Sequence, residues 1–131
     1  MLFLPDGTLI VSESNGQRVR QIDLAAGLTR GFAGSGFSGF SGDNGPATIA
    51  NMTTPRGIAS DNFGNVYIAS LSSGNALNNS TIRRVENGII STIAGDPLEF
   101  FPYEDGVPGT ESRVNGANGV AVDDTGNIYI V

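Results

Sequence analysis

The 131-residue chain contains no cysteine, no histidine and no lysine. Each absence closes off a chemistry. Without cysteine there is no disulfide, no thiolate nucleophile and no thiolate metal site, and the redox compartment is left open. Without histidine the commonest general base and the commonest metal ligand are missing. All seven cations are arginine, set against 13 acidic residues for a net charge of −6. An acidic chain with no basic run cannot neutralise a phosphate backbone, so no nucleic-acid partner is expected, and an anionic membrane surface is disfavoured for the same reason. Apolar runs are short. None approaches the roughly 18 residues of a spanning helix, so no membrane insertion is expected. MLFL before Pro5-Asp6-Gly7 is too short for the apolar core of a secretory leader. Charged residues make up only 15% of the chain, against a usual value of about 25%.

Glycine is abundant, at 19 residues. Together with many Asn, Ser and Thr, it indicates tight turns and little exposed helix. The hydrophobic fraction of 39% is enough for a core and argues against general disorder.

The chain also repeats itself. GNVYIAS at 64–70 returns as GNIYIV at 126–131, and Gly7, Gly64 and Gly126 come into register. RVRQI (18–22) answers TIRRV (81–85), placing Arg20 on Arg83. FAG (32–34) answers IAG (93–95), and PRGIASD (55–61) answers ANGVAVD (117–123). DNGPAT (43–48) answers EDGVPGT (104–110), with one residue inserted. Blocks recurring in one order signal duplication.

Each block reads as a strand. GNVYIAS is short, β-branched and aromatic, with Val66 and Ile68 on one face and Tyr67 and Ala69 on the other. Both faces are apolar, so both require cover. The joints carry turn chemistry: Gly7, Asp61 with Gly64, Asp123 with Gly126, and Asn87-Gly88, the strongest hairpin signal in the chain. Asp43, Gly45, Pro46 and Gly106 mark turns in two longer loops, and Pro46-Ala47-Thr48 is predicted to start one helical turn. One unit is then four antiparallel strands, near 56–60, 65–70, 81–85 and 89–94. Such a sheet needs a like sheet on each side, and radial stacking gives a β-propeller.

The expected organisation is a partial blade over 1–33, an interblade loop over 34–54, a complete blade over 55–94, a second loop over 95–116 and the start of the next blade over 117–131. The fold class is all-β: a β-propeller fragment of about two and a quarter four-stranded antiparallel blades. Its outer faces need the rest of its own propeller.

The ordered set Gly42-Asp43-Asn44-Gly45-Pro46-Ala47-Thr48, Pro55-Arg56-Gly57-Ile58-Ala59, GNVYIAS, TIRRV and ISTIAG (90–95) resembles the NHL-repeat β-propellers. The similarity is to the long-repeat type of bacterial secreted proteins and of teneurin-like cell-surface proteins. The resemblance implies a non-catalytic binding or scaffolding module, outside the cytoplasm, presenting the 34–54 and 95–116 loops to a protein or glycan partner. The alternative is a segment of a related six-bladed propeller enzyme, a calcium-dependent lactonase-like hydrolase or a lyase, whose active-site residues would lie mostly outside this stretch. Three departures stand out: Ser70 where the family usually has Asp, an insertion from Leu71 to Asn79, and Asp-Gly-Val-Pro-Gly-Thr in the second loop.

No catalytic residue is assigned, because the serines and threonines lack a base. Gly34-Ser35-Gly36-Phe37-Ser38-Gly39 matches a dinucleotide fingerprint in letters. No helical period follows it, and it is read as an interblade loop with Phe37 and Phe40 tucked against the rim. No cofactor is expected. No metal site is assigned; calcium is the ion weighed, because the loops hold hard oxygen donors, with Asp43 and Asp105 the candidate ligands. Arg20, Arg83 and Arg84 are expected to pair with carboxylates such as Asp23 or Glu86, or to stack on rings. Asn51, Asn78 and Asn79 open N-glycosylation triplets.

Overall fold

The computed structural model describes residues 1–71, 79–95 and 103–131. Most of the insertion noted over 71–79, Asn78 included, lies outside the described residues. Strands β1 (Leu2–Phe3), β2 (Leu9–Glu13), β3 (Arg18–Asp23) and β4 (Leu28–Ala33) form a first antiparallel sheet in chain order. β5 (Gly45–Pro46) follows in the connecting loop. The central meander is β6 (Thr53–Ser60), β7 (Val66–Leu71), β8 (Asn79–Glu86) and β9 (Ile89–Ala94). β10 (Val114–Asn115) precedes a hairpin of β11 (Val120–Val122) and β12 (Ile128–Ile130). The first group has four strands, because Leu2 and Phe3 pair with Ile10 and Leu9.

The doubly apolar strand is buried as its pattern requires. Val66, Ile68 and Ala69 are fully buried and Tyr67 nearly so. Val66, Ile68, Val85 and Ile90 pack on Ile10, Val19 and Ala33 of the first sheet. On the opposite face Ala69 and Ile82 pack with Ala117 and Val120, which lead into and begin the third unit. Each fully buried Val or Ile contributes roughly 1.5–3 kcal/mol, so the central sheet is held by sheets on both sides.

The interblade loop seals the outer edge of the central sheet. β5 pairs with β9 through Gly45↔Ile90 and Pro46↔Ile89, and the Asn44 and Ala47 amides donate to the carbonyls of Ile90 and Gly88. A single 3-10 turn, Ala47–Ile49, follows, with Pro46 capping it from outside rather than entering it. The next loop repeats this with Pro108 before Gly109–Glu111. Left-handed Asn44 (φ 61) matches left-handed Gly106 (φ 78). Pro46 and Pro108 each stand just before their turn, so Asp43 to Thr48 aligns with Asp105 to Thr110 with no inserted residue, Val107 standing where Gly45 does. Phe37 is 73% exposed instead of tucked in; the inward ring is that of Phe40, which lies under Arg83.

Candidate functional site

Two constructions organise this fold. The first is the hairpin between the first and second strands of each unit. Asp61 Oδ1 accepts the amides of Phe63 and Asn65 at 3.0 and 2.9 Å, and Oδ2 accepts Asn65 Nδ2 at 2.7 Å and the Tyr67 hydroxyl at 3.1 Å. Asp123 makes the same set with Thr125, Asn127 and Tyr129, at 2.8–3.0 Å. Gly64 and Gly126 close both loops at φ 85 and 86, as Gly7 does at 85 beside Asp6, a region where only glycine is unstrained.

The electrostatics follow. Burial pushes the Asp61 carboxyl up, but the donors from Asn65, Tyr67 and Phe63 outweigh it and hold it below the usual range. Asn127 and Thr125 hold Asp123 far below that range. Burial, then Asp61, raises the Tyr67 phenol, and Asp123 raises that of Tyr129. These carboxylates are ionised acceptors already saturated by their own loops. Among the described residues no three acidic side chains gather as a metal cluster would require.

Successive hairpins stand side by side, with Asn62 Nδ2 donating to Asp124 Oδ1 at 3.0 Å and Arg56 Nη1 donating to Asn118 Oδ1. Between them lie two clefts. One, of about 370 Å³, is lined by Leu4, Pro5, Asp6, Asn62 and Phe63. The other, of about 230 Å³, is lined by Asn62, Phe63, Asp123, Asp124 and Thr125. Phe63 separates them and is 91% exposed.

The second construction is a latch between loop and blade. Arg83 is completely buried. Its Nη2 and Nε donate to Asp43 Oδ1 at 2.6 and 3.1 Å, Nη2 also to the Ser41 carbonyl at 2.9 Å, and Nη1 to the Asn51 carbonyl at 2.9 Å. Phe40 lies 5.0 Å beneath the guanidinium, and Asp43 Oδ2 accepts the Thr92 amide at 3.2 Å. Of the two metal candidates, Asp43 is thus engaged with Arg83, while Asp105 is exposed at the same position of the next loop. Sequence reasoning sought the arginine partners nearby. Arg84 does meet Glu86 at 2.9 Å, but Arg20 turns to Glu13 and Arg83 to a residue 40 positions away. The signal that could have found this pair was the return of Arg20 at Arg83.

Asn51 is held by Ser35, whose hydroxyl donates to its Oδ1 at 2.6 Å. Asn87 and Gly88 are both left-handed, at φ 50 and 79, as a type I′ hairpin demands.

The SBBP family of β-propeller repeats matches residues 48–78. Mouse teneurin-4 is 47% identical over 55 residues, and human teneurin-4 46% over 55 residues; each match covers 41% of this chain and 2% of the relative. Among solved structures, a structural-genomics protein of unknown function from Bacteroides thetaiotaomicron aligns with a TM-score of 0.77 at 25% identity, over 95% of this chain and 30% of its own. An auxiliary nutrient binding protein from the same organism aligns with a TM-score of 0.71 at 20% identity, over 98% of this chain and 33% of its own. The chain therefore spans about a third of these structures and a small part of the teneurins. With stacked four-stranded meanders, repeated hairpins and these likenesses together, the chain is a stretch of β-propeller repeats.

Proposed function

We propose that the chain is a non-catalytic binding and scaffolding segment of an NHL-type propeller, acting outside the cytoplasm, whose hairpin rim receives a protein or glycan. The observation that carries this reading is Phe63. It is 91% exposed, at a hairpin tip, between two clefts, and nothing in the packing needs it there. Exposed aromatic rings lose little entropy on contact and supply much of the energy at binding surfaces. Around it stand hydrogen-bonding side chains, and the half-buried carboxylates of Asp61 and Asp123 are saturated by donors of their own hairpins. The nutrient-binding name of one structural neighbour supports binding at the level of fold alone.

The test is surface plasmon resonance of the chain against defined extracellular glycans and matrix proteins. Saturable binding is expected, weakened about fivefold or more by Phe63→Ala with the melting temperature unchanged. Indifference to Phe63→Ala, or turnover of a lactone by the chain, overturns the reading.

A further inference from the structure

We propose that Arg20 is an open socket for an aspartate carboxylate, filled by the interblade loop of a further blade of this same repeat packed on the outer face of the first sheet. The inference is independent of what the hairpin rim binds.

Phe3, Leu9, Val11, Arg20 and Ile22 share one face, as the registers Phe3↔Leu9, Leu9↔Ile22 and Val11↔Arg20 require. Ile10 and Val19 point the other way and are fully buried against the central sheet. In the central sheet the equivalent register is Ile68↔Arg83, so Arg20 stands in its blade where Arg83 stands in the next. The two differ in what meets them. Arg83 is closed over by a carboxylate, two carbonyls and a ring, and its side chain is 1% exposed. Arg20 is 25% exposed and, among the described residues, has one ion pair, to Glu13 at 3.7 Å. Glu13 already binds Arg18 at 2.6 Å. Arg20 Nε is buried without an acceptor among the described residues.

A buried donor left unpaired is costly, and an unpaired charged one more so. The set that satisfies this group is displayed one repeat further on: the Asp43 carboxylate with the carbonyls of Ser41 and Asn51, delivered by the loop that precedes the blade. The apolar face around Arg20 matches the one that the first sheet covers on the central sheet. Charge and shape therefore specify one occupant, a blade followed by a loop with aspartate in the Asp43 position.

The register sets the test. Phe3 pairs with Leu9 as Ser60 pairs with Val66, so residues 1–57 placed directly ahead of residue 1 continue the repeat and aim a second Asp43 at Arg20. In the 131-residue chain, Arg Nε–H exchange by NMR should be at least about tenfold faster at Arg20 than at Arg83. In the extended chain Arg20 should become protected like Arg83. Asp43→Asn in the added copy alone should restore fast exchange and lower the melting temperature; Arg20→Met should lower it equally, with no further loss in the double variant. Methyl shifts of Leu9 and Val11 report separately whether the blade packs. A blade that packs while Arg20 ignores Asp43→Asn overturns the latch; one that leaves the methyls unmoved overturns the covering itself. Should the extended chain fail to fold, a peptide of residues 38–54 is added to the 131-residue chain. An Arg20 Nε shift with this peptide and none with its Asp43→Asn form supports the socket, and no shift with either rejects it.

Discussion

Single residues in this protein matter where backbone or charge leaves one solution. Gly34 and Gly95 stand at φ 92 and 74, and a Cβ there would lie 2.6 Å from the Gln17 carbonyl oxygen and 2.1 Å from that of Ser80. Both mark where an interblade loop leaves the fourth strand across the start of the third. Gly64 has similar torsions, but a Cβ would meet nothing within 4 Å. Gly95→Ala is therefore expected to cost about 3 kcal/mol or more, from strain plus collision, while Gly64→Ala costs only about 1 kcal/mol, from strain alone. Urea denaturation of both variants checks the order, and equal losses would refute the collision. Arg83 yields a second residue-scale expectation. Asp43→Ala strands a buried guanidinium and should destabilise by about 3–5 kcal/mol. Arg83→Met fills the space with apolar atoms and leaves an aspartate 31% exposed, which water can serve. It should cost less, and the reverse order in thermal melts would mean that the pair is not what holds the loop.

At the scale of elements, the hairpins explain a dependence on pH. Asp61 and Asp123 are ionised more readily in the folded protein because donors from their own loops converge on them. Their folded values lie below the unfolded one of about 3.9. The stability they contribute is thus complete above that pH and is lost as pH falls through the depressed folded values. Melting temperature should hold steady between pH 5 and 7, as about the neutral range, and fall in stronger acid. Asp61→Asn should flatten part of that fall while lowering stability at neutral pH, because its amide nitrogen faces the Asn65 amide and the Tyr67 hydroxyl. A fall of the same depth in this variant would place the titration elsewhere. The same elements show how far local sequence reaches. Asp-x-x-Gly-Asn-x-Tyr encloses every partner within six residues, which is why its turns were legible without coordinates.

On the scale of the whole molecule, the central sheet is covered on both faces and, among the described residues, its flanking units on one. Phe3, Tyr129 and Val131 are 61%, 55% and 82% exposed. Open apolar faces next to unpaired strand edges favour association. Sedimentation velocity should show concentration-dependent assembly of the 131-residue chain at tens of micromolar, about the range where exposed edges aggregate. A single sharp monomer at that concentration, with a cooperative melt, would mean that the faces need no cover. Cover on one side would in turn slow amide exchange in β2 and β3 first.

Repeat order, strand positions, hairpin turns and the demand for stacked sheets were determined by sequence alone, because they rest on torsions, alternation and hydrogen bonds confined to a few residues. Only the tertiary structure decided which side chains close the interfaces. Arg83 meets Asp43 across 40 positions, and Phe40 rather than Phe37 turns inward. Such choices depend on what another sheet brings into contact, and a buried charge takes whichever acceptors that sheet delivers.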